Sequence, residues 1–371
     1  MKVLIIAPHY EVNQKNGANS YVDWIFNCLE NYCEVDLLHF SNLNNFLISN
    51  SSKVFNIKSN IKSSLNVVLN NKQYFVERLV PKNFFDEHDY LYDYDILVFS
   101  FVHTYLAAKK SGFDFSKVKR VIILTHNFDP DIYMSWSHQG LIKSIIGKLS
   151  LRRYLNSLNE LDAKIILANI SEQDSLLFRR ISNNPIIEVP SGTVSKEINA
   201  FKVPSALNIA FLGSLSTPFN VNGLIYFNNE IFNKLKNKID FNFFVIGSNP
   251  TSMVKKLCKQ NNWTLIENPS DTELEKALQD MSFGIMPFDV TQGVKVKIWS
   301  YLSMGLPILA TELFKNSDFP NDIYLASNNI DEWSNWILER YDNSQYKIKA
   351  RAFFDENTKL SHEKVVKEIL F

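Results

Sequence analysis

A set of short apolar runs without alternation limits most strongly what this chain can fold into. Val3–Ala7 reads Val-Leu-Ile-Ile-Ala, Ile96–Phe101 reads Ile-Leu-Val-Phe-Ser-Phe, and Arg120–Leu124 reads Arg-Val-Ile-Ile-Leu. A strand wetted on one side alternates apolar with polar residues. A continuous run means that both faces are covered, as in a parallel sheet between two layers of helices. Val35–His39, Lys164–Ala168 and Ile186–Val189 complete this series. Between the first two runs, Ser20–Asn31 spaces Tyr21, Trp24, Ile25, Cys28 and Leu29 as one face of a helix. Strand, helix and strand then make a right-handed βαβ unit.

The pattern restarts at Asn208–Leu212, followed by a helix around Asn222–Lys236 and by runs at Phe241–Ile246, Trp263–Ile266, Phe283–Met286 and Pro307–Ala310. The expected class is therefore α/β, with two doubly wound Rossmann-like domains facing a central cleft. A length of 371 residues suits two domains. The expected boundaries are 1–195 and 205–345, joined by the aperiodic stretch Val194–Ala206. Ser41–Lys72 is rich in Asn and Ser and supports no assignment.

Composition removes several classes of function. Lys+Arg and Asp+Glu are both 39, and neither half has the basic excess of a nucleic-acid binder. Three cysteines without a CxxC argue against a disulfide framework or a structural zinc site, and suit a reducing cytosol. Runs of about 18 apolar residues are absent, so a spanning helix is not expected. Gly140–Tyr154 carries Leu141, Ile142, Ile145, Ile146 and Leu149 at helical spacing, with Lys143, Lys148, Arg152 and Arg153 nearby. That pattern fits a peripheral membrane helix, or a helix packed on the sheet with a basic outer face.

Three motifs stand where chemistry occurs in such folds. Lys15-Asn16-Gly17-Ala18-Asn19-Ser20 follows the first strand, where Gly17 permits close backbone approach and Ser20 can cap the helix. An ordinary capped turn looks the same. The GxGxxG fingerprint is missing, which removes the main support for a nicotinamide dehydrogenase. Thr125-His126-Asn127-Phe128-Asp129 follows a buried strand. There His126 can charge near neutral pH, and Asp129 can orient it or accept a hydroxyl. A self-satisfied His-Asn turn is the plain alternative. In Gly293–Pro307, Gly293 is expected to open a helix that Gly305 closes, with Lys295 and Lys297 in its first turn. The helix dipole opposes cations there, unless an anion such as a diphosphate joins them. A solvated lysine pair is the alternative.

Asn208–Leu215, Pro218–Gly223, Phe244–Gly247, Ala277–Pro287 and Gly293–Pro307 follow one another in an order that resembles the second domain of bacterial GT-B glycosyltransferases. The likeness is to the retaining nucleotide-sugar family four, glycosyl transferases group 1. In the first half the Gly17 loop, His126–Asp129, Asp162–Ser171 and Val189–Gly192 resemble its other landmarks. The resemblance implies transfer of a sugar from a nucleotide sugar, with a UDP-sugar favoured, to a glycan or lipid-linked acceptor in surface polysaccharide or lipopolysaccharide synthesis. It implies His126 and Asp129 as catalytic residues and Gly213, Gly293, Lys295, Lys297 and Ser300 on the donor. Gly17, Asn19 and Asn127 would line the acceptor side. It also implies no metal or other cofactor, a cytoplasmic protein with peripheral membrane contact, and a segment 346–371 crossing back to the first domain. The family's paired glutamates fall on Gln292 and Ser300, and Gly213–Gly223 carries no Arg or Lys. A nucleotide-sugar epimerase and a non-catalytic homologue acting as a partner subunit stay open.

Overall fold

The computed structural model describes residues 1–8, 17–40, 89–126, 130, 133–134, 141–192, 201, 204–289 and 295–371. The chain divides into two units, Met1–Ser191 with Ser361–Phe371, and Gly192–Leu360.

The first unit holds a six-stranded sheet in the order β2-β1-β3-β4-β5-β6. Its strands are β1 (Lys2–Pro8), β2 (Glu34–Phe40), β3 (Ile96–Ser100), β4 (Arg120–Leu124), β5 (Ile166–Asn169) and β6 (Ile186–Glu188). All neighbouring pairs are parallel. The unbroken apolar run of β1 has a direct explanation. Leu4 and Ile6 enter one core with Leu97, Phe99 and Tyr105, whereas Val3, Ile5 and Ala7 enter another with Tyr21, Ile25 and Cys28. Successive side chains point to opposite faces, and both faces are dry.

The second unit repeats the plan in the order β12-β11-β10-β7-β8-β9, again all parallel. These strands are β7 (Asn208–Leu212), β8 (Asn242–Gly247), β9 (Thr264–Glu267), β10 (Phe283–Met286), β11 (Ile308–Ala310) and β12 (Tyr324–Ala326). The strand order reverses between β7 and β10. In open α/β sheets the crevice beyond the carboxyl ends of the strands at such a reversal receives ligands.

Several boundaries differ from the sequence expectation. The first helix runs Gly17–Leu29, so Ser20 lies inside its first turn and is not the cap. The helix after β7 begins at Pro218 and not near Asn222, because proline at the first helical position forfeits no hydrogen bond. The helix Lys295–Ser303 ends as expected: Gly305 has φ +67, and the Leu306 N–H reaches Tyr301 O at 3.0 Å. This is the left-handed Schellman stop that favours glycine. Within the helix Leu141–Asn159, Gly147, Ser150, Tyr154 and Leu158 are buried, and Ile145, Lys148 and Arg152 are exposed. Of the expected apolar stripe, Ile145 stands 48% exposed on the basic side, Ile146 and Leu149 are half-buried, and the side chains of Leu141 and Ile142 lie outside the described residues. Among the described residues no helix is long and apolar enough to cross a membrane. The chain closes with the helix Ser344–Leu370. Its Ala350 and Phe354 lie in the core of the second unit, and its Val365, Val366, Ile369 and Leu370 lie in the core of the first.

Candidate functional site

In the second unit the helix Lys295–Ser303 delivers two side chains, four residues apart, to the β7/β10 reversal. The first is Lys297. Its Nζ donates to Asn220 Oδ1, and lies 4.5 Å from the ring centre of Phe288, 4.9 Å from that of Phe211 and 5.8 Å from that of Phe219. Phe211 belongs to β7, Phe288 follows β10, and Phe219 opens the next helix and stacks on Phe288 at 4.3 Å. Aromatic faces attract a cation, most strongly when water is excluded. Among the described residues no carboxylate pairs with this ammonium, and burial pushes its pKa down to about 7.

Asn220 ties the lysine to the loop after β7, since its Nδ2 donates to Ser214 O at 2.7 Å. A side chain on Gly213 would press on the same arrangement. A Cβ there would stand 2.8 Å from Asn220 Nδ2 and 3.0 Å from Lys297 Nζ. The loop Gly213–Gly223 has no cation of its own. Lys297 brings one to it from a different element.

The second side chain is Tyr301, which is fully buried. Its hydroxyl accepts the Leu212 N–H at 2.7 Å and lies 3.2 Å from both Ala210 O and Ile285 O. Its ring rests on Gly284, where a Cβ would come within 2.4 Å. Ser300 is half-buried on the same helix. Lys295 is its first residue, whereas the Lys295 side chain and Gly293 lie outside the described residues.

In the first unit His126 follows β4 and is 4% exposed. Its Nε2 is 2.7 Å from the Ser100 hydroxyl at the end of β3. The ring stacks on Phe101 at 3.9 Å and meets the edge of Tyr21 at 5.2 Å. Thr104 Oγ1 in turn donates to Ser100 O at 2.6 Å. Burial pushes the His126 pKa down to about 3, so the expectation that it charges near neutral pH is corrected. Sequence position located the ring at a strand end, but could not show three neighbours closing over it. Both His126 (φ 52) and Phe101 (φ 73) hold left-handed backbone, which is costly for a residue with a Cβ. Such strain persists only where packing over-determines it, and it concentrates at functional positions. Asn19 is buried in the first turn of the helix that Gly17 opens. Asn127 and Asp129 lie outside the described residues. Among the described residues no group of three or more His, Cys, Asp or Glu is placed to hold a metal ion.

Residues 206–343 match the family model described as Glycosyl transferases group 1. That match lies wholly within the second unit. The likeness to solved structures extends over both units. A mutant of S. aureus TarM in complex with fondaparinux, alpha-GlcNAc-glycerol and UDP is 13% identical, with a TM-score of 0.67 and 99% of each chain covered. Anabaena Alr3699/HepE in complex with UDP and glucose is 12% identical, with a TM-score of 0.61, 100% of this chain and 98% of that one. WaaG, a glycosyltransferase involved in lipopolysaccharide biosynthesis, is 11% identical, with a TM-score of 0.62 and 99% of each chain. At these identities the likeness establishes the fold, which is GT-B. No curated protein sequence matches the chain. Within the matched residues the Lys297 niche lies at the carboxyl ends of the strands, on the loop after β7.

Proposed function

We propose that the protein transfers a hexosyl unit from a UDP-sugar to a glycan or lipid-linked acceptor, with retention at the anomeric carbon, in surface polysaccharide or lipopolysaccharide synthesis. The observation that carries this reading is the Lys297 ammonium, held at the strand-order reversal without a carboxylate partner among the described residues. A half-buried, partly desolvated cation in that state gains from any anion that reaches it. A nucleoside diphosphate is the anion that such a crevice takes, because the N-terminus of the helix supplies free N–H groups beside the ammonium. UDP in the TarM and HepE complexes supports uridine as the nucleoside.

In this reading Gly213 and Gly293 give the diphosphate access to backbone, Lys297 is its main cationic contact and Lys295 a lesser one, and Ser300 meets the ribose. A diphosphate held in this way uses no metal ion. The bond from the anomeric carbon to the phosphate oxygen breaks, and an acceptor hydroxyl attacks on the face that the leaving group vacates. The acceptor proton passes to a leaving phosphate oxygen, whose growing charge Lys297 stabilises. With a pKa of about 3, His126 is too weak a base to take that proton at neutral pH. It acts as a neutral dipole toward the transferred sugar, fixed by Ser100, while Asp129, Asn127, Asn19 and the Gly17 loop serve sugar and acceptor hydroxyls. The protein works in the cytoplasm. The exposed face of Ile145, Lys148 and Arg152 supports peripheral contact with anionic lipid.

Calorimetric titration with UDP of the parent, Lys297→Ala, Lys295→Ala and Ser300→Ala tests the donor site. The expected order of loss is Lys297 first, with the other two well behind. A Lys297→Ala variant that binds UDP like the parent removes the diphosphate from this helix. UDP release from UDP-sugars separates a transferase from the non-catalytic homologue that Gln292 and Ser300, in place of glutamates, would suit. Failure to co-float with anionic vesicles at low salt would end the membrane proposal.

A further inference from the structure

The β7/β10 pair is short for its position. Parallel register runs through Phe283↔Ile209 and Gly284↔Ala210 and then stops, although β7 continues to Leu212 and β10 to Met286. What occupies the gap is the Tyr301 hydroxyl. It accepts the Leu212 N–H and donates its single proton toward Ala210 O or Ile285 O, both at 3.2 Å. A side chain has thus replaced strand-to-strand hydrogen bonds, and the two strand ends are wedged apart without leaving the Leu212 N–H unpaired. The wedge fits because residue 284 is glycine, with the ring lying where a Cβ would be.

Beyond the wedge lie Phe211, Gly213 and Phe288, the walls of the Lys297 niche. Lys297 and Tyr301 are four apart and share one helix face, so one rigid element sets both the opening and the cation that enters it.

We propose that Tyr301 is a positioning residue for donor binding: its hydroxyl holds the ends of β7 and β10 apart and thereby sets the niche in which Lys297 meets the donor diphosphate. This rests on the donor site proposed above. Without the hydroxyl, the Leu212 N–H turns to a carbonyl of β10, the strand ends close, and Phe211 and Gly213 shift against the ammonium.

The test is a double-mutant cycle read by UDP calorimetry. Tyr301→Phe keeps the ring on Gly284 and removes only the oxygen. It should weaken UDP binding roughly three- to thirtyfold, the range of couplings carried through packed elements. In a Lys297→Ala background the same change should have less than about a twofold effect, because its target is gone. The donor KM should rise more than kcat falls. Gly284→Ala, which pushes the ring from its seat, should reproduce the loss and serves as the second variant if Tyr301→Phe folds poorly. A lower melting temperature with parental UDP affinity would make Tyr301 purely structural and overturn the proposal. Equal losses in both backgrounds would also overturn it, since the hydroxyl would then not act through Lys297. If the parent binds UDP and Lys297→Ala does not lose affinity, the donor site is what fails. A parent that binds no UDP sinks both.

Discussion

Each half of the molecule holds one titratable side chain at the carboxyl end of its sheet, His126 buried and Lys297 half-buried, and the two are treated in opposite ways. His126 is closed in by Ser100, Phe101 and Tyr21, and its ring nitrogen has a partner within the protein. Lys297 is surrounded by three aromatic rings and one amide oxygen, and no carboxylate among the described residues meets it. The histidine site is complete without a ligand. The lysine site is electrostatically unfinished. The difference separates a group whose work is to stay in place from a group whose work begins when an anion arrives.

The largest expected effect tests the first half of that contrast. Asparagine tolerates left-handed backbone, so His126→Asn removes the ring while keeping φ near 52. Turnover should fall roughly 10²–10³-fold, as when one preorganised dipole is lost from a reacting centre. UDP release from a UDP-sugar measures it, and near-parental turnover would reduce His126 to packing.

Lys297 comes next. An ammonium–phosphate hydrogen bond is worth about 1.5–3 kcal/mol, so Lys297→Ala should weaken UDP binding more than tenfold. Lys297→Met sharpens the point: by replacing a half-buried cation with an apolar chain of similar length, it should raise the melting temperature of the ligand-free protein while UDP binding collapses. A destabilised Lys297→Met would mean that Asn220 and the rings already satisfy the charge.

The pH dependence should divide the two sites by window. Both groups have folded pKa values below their ordinary ones, 6.5 falling to about 3 for His126 and 10.5 to about 7 for Lys297. In both cases the unfolded chain binds the proton more tightly, so the contribution to stability is present above the ordinary pKa and lost as pH falls through the folded one. For Lys297 the loss spans about pH 10.5 to 7, and for His126 about 6.5 to 3. UDP binding should strengthen as pH drops from about 9 toward 7, by at most about tenfold per unit, with proton uptake by the complex. That slope should vanish in Lys297→Ala. The turnover of the parent should show no titration from His126 between about pH 5 and 8. The smallest effect is Ser300→Ala, a few-fold loss of UDP affinity, matching a neutral hydroxyl contact of about 0.5–1.5 kcal/mol.

Runs such as Val3–Ala7 and Phe283–Met286 were legible as buried strands because a strand covered on both faces has no polar positions to dilute the signal. β12 was missed because Tyr324–Ala326 is a three-residue edge strand, too short for any period to show. Lys297 was legible as a cation that the helix dipole disfavours. Its cage was not, since Phe288 is far in sequence from Phe211 and Phe219 and all three look like ordinary core residues. Tyr301 carries no local signal of its role, because the glycine that admits it, Gly284, sits on a separate element, β10. Burial of His126 depends on Tyr21 and Phe101, from two further elements, and no local pattern carries that.

The helix Ser344–Leu370 has a consequence for how the molecule is made. Val365, Val366, Ile369 and Leu370 complete the apolar face that Val3, Ile5, Val98 and Ile122 present in the first unit. During synthesis those residues leave the ribosome only after the whole of Gly192–Leu360 has been translated. The first unit therefore waits, with the part of one sheet face that the helix Gly17–Leu29 does not cover left open, through the translation of that entire second unit. At about 5–20 residues per second that is on the order of 8–30 s in which a sticky surface is open to the cell. The half made first is the last to be sealed.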